Sequence, residues 1–269
     1  MNSPLHLRPP AVAGMFYPAD AAKLAHDVRA YLDAAPAPVA PAPKALIVPH
    51  AGYIYSGAVA ARAYVQLAEA RATIRRVVLL GPAHRVPIRG LALPAAEAFA
   101  TPLGSVPIDG AGARAALALP QVTASDVAHN LEHSLEVQLP FLQTLLDDFT
   151  LLPFAVGAAS AAQVAEVLDL LWGGPETLIL VSSDLSHFHG YAHAQGIDRN
   201  TADEILAFDA SLDHQQACGA TPINGLLLCA RRRSMRIELL DLRNSGDTAG
   251  DRSRVVGYAS FAIREGELA

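Results

Sequence analysis

The chain has 269 residues, of which 52% are hydrophobic and 17% are charged. This length accommodates one large domain or two small ones, and the composition is too apolar for a disordered protein. Its 20 basic and 26 acidic residues give a net charge of −6, and the only dense basic run is Arg231-Arg232-Arg233. We therefore expect neither nucleic acid nor an anionic membrane as a partner.

No segment of the sequence predicts secretion or membrane insertion. Residues 1–10 lack the apolar core of about 7–15 residues that a signal peptide needs, and no run approaches the ~18 apolar residues of a membrane span. We therefore expect a cytoplasmic protein. Cys218 and Cys229 are the only cysteines, which is too few for a disulfide scaffold, so both thiols are expected to be free.

The first predicted helix follows Asp20, which is a suitable N-cap, and carries Leu24, Val28 and Leu32 along one face. Next comes a Pro/Ala-rich stretch, residues 34–43, whose core is PAPVAPAP. Too little sequence precedes this stretch to form a separate hydrophobic core. It is therefore predicted to be a surface connection within one domain.

After this connection, short apolar runs alternate with alanine-rich stretches. The apolar runs are continuous and end in Pro, Gly or Ser, which is typical of strands buried on both faces. The predicted strands are residues 45–48, 77–80, 151–156, 178–181 and 255–263, and the predicted helices are residues 58–70 and 161–172. This pattern predicts an α/β fold in a single domain over residues 1–269, with a central mixed or parallel sheet flanked by helices.

Three predicted strands are each followed closely by a histidine: His50, His84 and His187. Ligand crevices in open α/β sheets lie beyond the carboxyl ends of the strands, so these side chains are expected to converge. Any one of them is more simply interpreted as a loop residue, but three together favour a site. Gly52 and Gly57 fit a strand-to-helix turn, followed by a helix that begins near Gly57 and points its N-terminus at the crevice.

Converging imidazoles predict a bound metal ion, which needs at least one further donor. Cys218 is the better thiol candidate, because it lies in an exposed turn before a predicted helix whose N-terminus would lower the pKa of the thiol. Cys229 lies within an apolar helical segment and is predicted to be a core residue.

His133 and Glu136 are three residues apart and would share one face of a helix. This spacing allows two interpretations: they line a pocket and support the metal ligands, or they form an ordinary surface pair. Tyr53 is likewise either a pocket residue or part of the core.

Asp184 precedes His187, and a histidine oriented by a carboxylate is a competent general acid/base near neutral pH. The sequence contains no Gly-Xaa-Ser-Xaa-Gly elbow, Walker loop or dinucleotide-binding fingerprint. The commonest alternatives among α/β enzymes are therefore not supported.

The ordered motifs of the chain resemble those of the MEMO family, in the branch called AmmeMemoRadiSam system protein B. The resemblance extends from residue 7 to Tyr258. It rests on LRPPAVAGMFYP (7–18), VPHAGY (48–53), GPAH (81–84), EHSLE (132–136), SSDLSH (182–187) and ACG (217–219).

This resemblance implies a fold similar to the LigB-like class III extradiol dioxygenases, non-haem iron enzymes that open catechol rings. By motif, His50 and His84 would be metal ligands, Cys218 would stand where those enzymes have a carboxylate ligand, and His187 would be the acid/base residue. Fe(II) is the expected metal, with copper or zinc as alternatives. The resemblance also implies an AMMECR1-like protein and a radical S-adenosylmethionine (radical SAM) protein as partners.

Three functions remain open on the sequence alone. The first is a metal-dependent oxidoreductase related to extradiol dioxygenases, acting on a small molecule. The second is a metal- or ligand-binding partner protein without turnover, which the cysteine in place of a carboxylate favours. The third is a zinc hydrolase with His187 as base, which ranks lower because no motif for ester or amide substrates is present.

Overall fold

The computed structural model describes residues 6–38 and 41–266, and both strands and helices occur throughout them. Residues 39 and 40 of the predicted connection lie outside the described residues. Residues 1–5 of the N-terminal segment, which is predicted not to be a signal peptide, also lie outside them. The strands are β1 (Leu7–Arg8), β2 (Ala45–Val48), β3 (Arg76–Pro82), β4 (Leu91–Leu93), β5 (Ala98–Thr101), β6 (Gly104–Pro107), β7 (Val122–Ala124), β8 (Thr150–Val156), β9 (Thr177–Ser182), β10 (His187–His189), β11 (Arg236–Asn244) and β12 (Val255–Arg264).

The helices lie between these strands and cover both faces of the main sheet. They are α1 (Ala21–Ala34), α2 (Tyr53–Tyr64), α3 (Gly110–Ala116), α4 (Asp126–His129), α5 (Leu139–Leu145), α6 (Ala161–Leu171), α7 (Tyr191–Leu206), α8 (Ala220–Arg232) and α9 (Ser245–Thr248), with 3-10 turns at Val65–Ala70 and Glu136–Gln138. None of the helices in the described residues is both long enough and apolar enough to cross a bilayer.

The main sheet is mixed and has a parallel centre. Its strand order is β10-β12-β2-β9-β3-β8-β4-β7, with β11 paired to the outer side of β12. Strands β2, β9, β3 and β8 run parallel to one another, while β12 and β4 are antiparallel to their neighbours β2 and β8. A smaller three-stranded sheet has the order β1-β5-β6. The carboxyl ends of β2, β9 and β3 therefore lie side by side.

The central strands are buried on both faces, which confirms the prediction from their continuous apolar runs. In β3, Val78 and Leu80 face a core formed with α6 and α8, while Val77 and Leu79 face a second core formed with α1, α2 and α5. Neighbouring strands alternate in the same way, because successive side chains of a strand point to opposite faces. The register of the sheet is thus fixed by apolar packing on each side.

Helix α1 confirms its sequence prediction. The Asp20 carboxylate accepts a hydrogen bond of 2.8 Å from the backbone N–H of Lys23, and the three predicted apolar residues are buried. The helix continues through Ala34, so the connection to β2 begins one residue later than the predicted start at residue 34.

The prediction for Gly57 was wrong. Helix α2 begins at Tyr53 with Gly52 as its N-cap, so Gly57 lies inside the helix rather than in the turn before it. A Cβ at Gly57 would lie 2.9 Å from the ring of Tyr31 on α1. The glycine therefore serves the close packing of α1 against α2. The second half of the predicted helix, from residue 65 to 70, is a 3-10 turn.

Candidate metal centre

The candidate site lies at the carboxyl ends of three adjacent parallel strands. His50 follows β2, His84 follows β3, and Asp184 follows β9, each two residues after the last residue of its strand. Strand β9 pairs with both β2 and β3, so the three loops share one edge of the sheet. This arrangement joins residues that are far apart in the chain.

Three imidazoles converge at this edge. One ring nitrogen from each of His50, His84 and His133 lies within 4.8 Å of the corresponding nitrogen of the other two. The ring centroids are 5.3 Å apart for His50 and His84, 5.4 Å for His50 and His133, and 4.7 Å for His84 and His133. His50 is buried whereas His84 is exposed, so the cluster is open to solvent on one side. This geometry suits a metal ion.

A buried carboxylate, Glu132, organises two of these histidines. It accepts hydrogen bonds from Nδ1 and the backbone N–H of His84, at 2.9 and 2.6 Å, and from the backbone N–H of His133 at 2.9 Å. Since an ionised carboxylate only accepts, Nδ1 of His84 carries a proton, and in the neutral ring the lone pair of Nε2 is free. We did not single out Glu132 from the sequence; its signal was an acidic residue directly before His133.

The charges of the cluster also suit a cation. Burial and the neighbouring His84 lower the pKa of His50 to about 3, and burial and the neighbouring His50 lower the pKa of His133 to about 4. For Glu132, burial acts to raise the pKa, but the hydrogen bonds from His84 and the backbone outweigh it and lower the pKa to about 2. At neutral pH His50 and His133 are therefore neutral imidazoles and Glu132 is an ionised carboxylate, which is the protonation state that metal binding needs.

Cys218 lies beside His50. Its Sγ is 3.4 Å from Nε2 of His50 and accepts a hydrogen bond of 3.3 Å from the backbone N–H of Asp184. The expectation of an exposed turn with a lowered thiol pKa was wrong for the metal-free chain. Cys218 is partly buried, and burial, together with the charge of Asp184, raises the pKa of its thiol to about 12.

Asp184 supports the site through the backbone. Its Oδ1 accepts a hydrogen bond of 2.7 Å from the N–H of His50, and its Oδ2 is 4.0 Å from Nε2 of the same residue. Burial raises the pKa of this carboxyl, against the opposing effect of the bond from His50. Within the described residues, the carboxylate hydrogen-bonds to His50 rather than to the ring of His187.

His187 lies on the short strand β10, which pairs with β12 at the edge of the main sheet. It is partly buried and is followed by Phe188, which is exposed and has a φ of +63°. The loop before it is held by Asp198 of α7, whose Oδ1 accepts a hydrogen bond of 3.0 Å from the backbone N–H of Ser186.

Glu136 and Tyr53 are buried and lie outside the imidazole cluster. The prediction that His133 and Glu136 share a helical face was wrong, because His133 precedes the 3-10 turn that begins at Glu136. The buried Glu136 carboxylate binds the N-terminal segment, accepting hydrogen bonds from Arg8, from the hydroxyl of Tyr17, and from the backbone N–H groups of residues 11 and 12.

That segment carries Phe16, whose ring lies 4.8 Å from the ring of His133. Tyr53 donates a hydrogen bond of 2.7 Å to the backbone oxygen of Val137 and packs among buried aromatic rings. Cys229 is fully buried in α8, as predicted.

Fold and site together define an α/β protein with a mixed sheet and a histidine cluster at the carboxyl ends of its parallel strands. The chain is similar to a solved structure of an uncharacterized protein from Escherichia coli K12, with a TM-score of 0.55 and 16% identity, over 82% of this chain and 99% of that one. This likeness concerns the fold alone. The predicted α/β fold with a central mixed sheet flanked by helices is confirmed.

The sequence comparisons identify the family. The family model for Memo-like proteins matches residues 8–262. MEMO1 family proteins from Methanosarcina mazei and Aquifex aeolicus are 35% and 36% identical to this chain, covering 96% and 94% of it and 100% and 98% of their own lengths. The chain belongs to the Memo-like family, as its motifs predicted.

Proposed function

We propose that this protein is a metal-dependent oxidoreductase that binds Fe(II) through His50, His84 and Cys218 and acts on a small molecule. The observation that carries the proposal is the convergence of three imidazoles at one solvent-facing edge of the sheet. The cluster of three histidines is an alternative ligand set. The two sets share His50 and His84 and differ in the third donor, which is Cys218 in the proposed set and His133 in the alternative.

The position of Cys218 supports the thiol as the third donor. Metal–nitrogen and metal–sulfur bonds of about 2.1 and 2.3 Å at a tetrahedral angle place the two ligand atoms about 3.6 Å apart. The distance of 3.4 Å between Sγ of Cys218 and Nε2 of His50 is close to this value. A thiolate with two imidazoles suits Fe(II), copper and zinc, and metal binding would displace the thiol proton despite its raised pKa.

A bound Fe(II) ion would supply redox chemistry and open coordination positions for substrate and dioxygen. The chain itself supplies the remaining functions. Glu132 orients His84, and Asp184 fixes the backbone of His50. His187, on β10 after the loop that carries Asp184, is the candidate for proton transfer to and from the substrate.

Metal binding tests the proposal directly. We expect the protein, reconstituted without oxygen, to bind about one equivalent of Fe(II), and the Cys218→Ser and His50→Ala variants to bind at least about tenfold more weakly. Titration with a competing chelator measures this affinity. Cys229→Ala, which alters the other cysteine, is the matched control and should bind as the parent does. Unchanged affinity in both site variants would refute the ligand set, and loss in His50→Ala and His133→Gln but not in Cys218→Ser would favour the three-histidine set.

A second function is favoured by one observation: a cysteine stands where the resemblance places a carboxylate ligand. On this alternative the protein binds metal without turnover and acts with an AMMECR1-like protein and a radical SAM protein. Oxygen consumption by the Fe(II)-loaded protein with a panel of phenols separates the two. Sustained consumption that His187→Gln abolishes would support the oxidoreductase, whereas metal binding without consumption would support the partner protein.

A further inference from the structure

A buried chain of hydrogen bonds leads from the second core to the ring of His50. Nδ1 of His50 lies 2.8 Å from Oγ of Ser182, the last residue of β9. Nε2 of Gln138 donates a hydrogen bond of 2.7 Å to the same Oγ, and Tyr64 donates one of 2.7 Å to Oε1 of Gln138. Each of these four side chains is at most 2% exposed, so water does not compete for the bonds.

Two backbone carbonyls fix the direction of every bond in this chain. Nε2 of Gln138 lies 3.0 Å from the oxygen of Pro49, and Oγ of Ser182 lies 2.6 Å from the oxygen of Ser134. A carbonyl oxygen only accepts, so the amide NH₂ of Gln138 must face Pro49 and the hydroxyl proton of Ser182 must point at Ser134. The amide oxygen of Gln138 is then left to accept from Tyr64.

The hydroxyl of Ser182 has one proton and two lone pairs. Its proton is used by Ser134, and one lone pair accepts from Gln138. Towards His50 it therefore has only a lone pair to offer, and the group that fills this position is an Nδ1–H. In the neutral ring the proton is then on Nδ1, and the Nε2 lone pair is directed at the metal site, where Sγ of Cys218 lies 3.4 Å away.

We propose that Ser182, held in place by Gln138, is a positioning residue that keeps His50 in the Nδ1–H tautomer with Nε2 ready to bind the metal. Hydrogen bonds to the distal nitrogen of a ligating histidine fix its tautomer and ring orientation, and their loss typically weakens metal binding about 10- to 100-fold. The proposal rests on the proposed function for its metal-binding consequence. The tautomer itself is a property of the metal-free protein.

The test uses ¹⁵N-histidine NMR on the metal-free protein at neutral pH, with the His50 signals assigned by their absence in His50→Gln. We expect a protonated Nδ1 and an unprotonated Nε2 at His50. In Ser182→Ala the Nε2–H tautomer should become populated, and Fe(II) affinity should fall about 10- to 100-fold. Ser260→Ala is the matched control, since Ser260 is fully buried and its hydroxyl has no hydrogen-bond partner in the described residues.

The outcomes separate this inference from the proposed function. An Nε2–H tautomer in the parent protein would overturn it, whether or not metal binds and whether or not Ser182→Ala folds. A tautomer change in Ser182→Ala with unchanged metal affinity would overturn the positioning role. A parent protein with the Nδ1–H tautomer that binds no metal would refute the proposed function and the metal-binding consequence, while confirming the tautomer.

Discussion

At the scale of single residues, Glu132 is the side chain on which the orientation of two histidines depends. The hydrogen bonds to its two oxygens all come from N–H groups in the described residues, so a neutral amide at this position must turn an NH₂ group towards another N–H. The carboxylate is 1% exposed, and water cannot relieve the mismatch. The charge and the acceptor geometry of Glu132 are therefore both needed.

We accordingly expect Glu132→Gln to weaken Fe(II) binding about 10- to 100-fold, because the ring of His84 loses its fixed orientation. Anaerobic titration against a chelator measures the affinity, and circular dichroism checks that the variant is folded. Glu69→Gln, at an exposed position away from the site, is the control. Parental affinity in a folded Glu132→Gln protein would show that His84 needs no carboxylate partner.

At the scale of elements, backbone hydrogen bonds at Gly257 of β12 hold the loop between β9 and β10 against that strand. The backbone of Gly257 accepts a hydrogen bond from Leu185 and donates one to Ser186, both of 2.8 Å. The buried carboxylate of Asp198 covers the Cα of Gly257, and a Cβ there would lie 2.1 Å from Oδ2 of Asp198. This contact sets the position of the loop that carries His187.

Gly257→Ala is expected to lower the free energy of unfolding by about 1–3 kcal/mol, because a short buried side chain and two strand segments cannot yield to the added methyl group. Urea denaturation measures the change. Gly196→Ala in α7, the helix that also carries Asp198, is the matched control: a Cβ at Gly196 meets no atom within 4 Å. Alanine should stabilise that helix by up to about 1 kcal/mol. Equal effects of the two substitutions would contradict this account.

At the scale of the whole molecule, two buried imidazoles, His50 and His129, and the partly buried ring of His133 make stability depend on pH. Burial lowers the pKa of His129 to about 4 despite the bond from its ring to the oxygen of Ala92, and it lowers the pKa of His50 and His133 to about 3 and about 4. In the unfolded chain these rings titrate near the ordinary value of about 6.5. Between the two pKa values the unfolded chain binds more protons than the folded one.

The free energy of unfolding of the metal-free protein should therefore be highest above about pH 6.5 and fall as the pH drops towards 4. Each buried imidazole contributes up to about 1.4 kcal/mol per pH unit in this window. Urea denaturation at pH 7.5, 6 and 5 measures the slope. His129→Gln should reduce it and His26→Gln, at an exposed position, should not. A slope of zero between pH 7.5 and 5 would contradict the burial of neutral imidazoles.

The parallel centre of the sheet, helices α1 and α6, and the positions of His50 and His84 after their strands could be predicted from the sequence alone. These features follow from local patterns: apolar runs, an N-cap, and residues that end a strand. The short strands β4, β7 and β10 were not predicted, since a strand of three residues carries no periodicity of its own. Gly57 was assigned to a turn because its packing against Tyr31 of another helix cannot be recognised from the residues next to it in the sequence.

The family also followed from the sequence, since its motifs are read in order along the chain. Only the tertiary structure decided which side chains serve the candidate site. Glu132 and not Glu136 orients the histidines, and Glu132 is 48 residues from His84 in the chain. Cys218 meets His50 across 168 residues, in surroundings that raise the pKa of the thiol where the sequence suggested the opposite. Local patterns specify helices and strands, whereas the partner of a buried polar group is set by strand order and burial, which are properties of the folded chain.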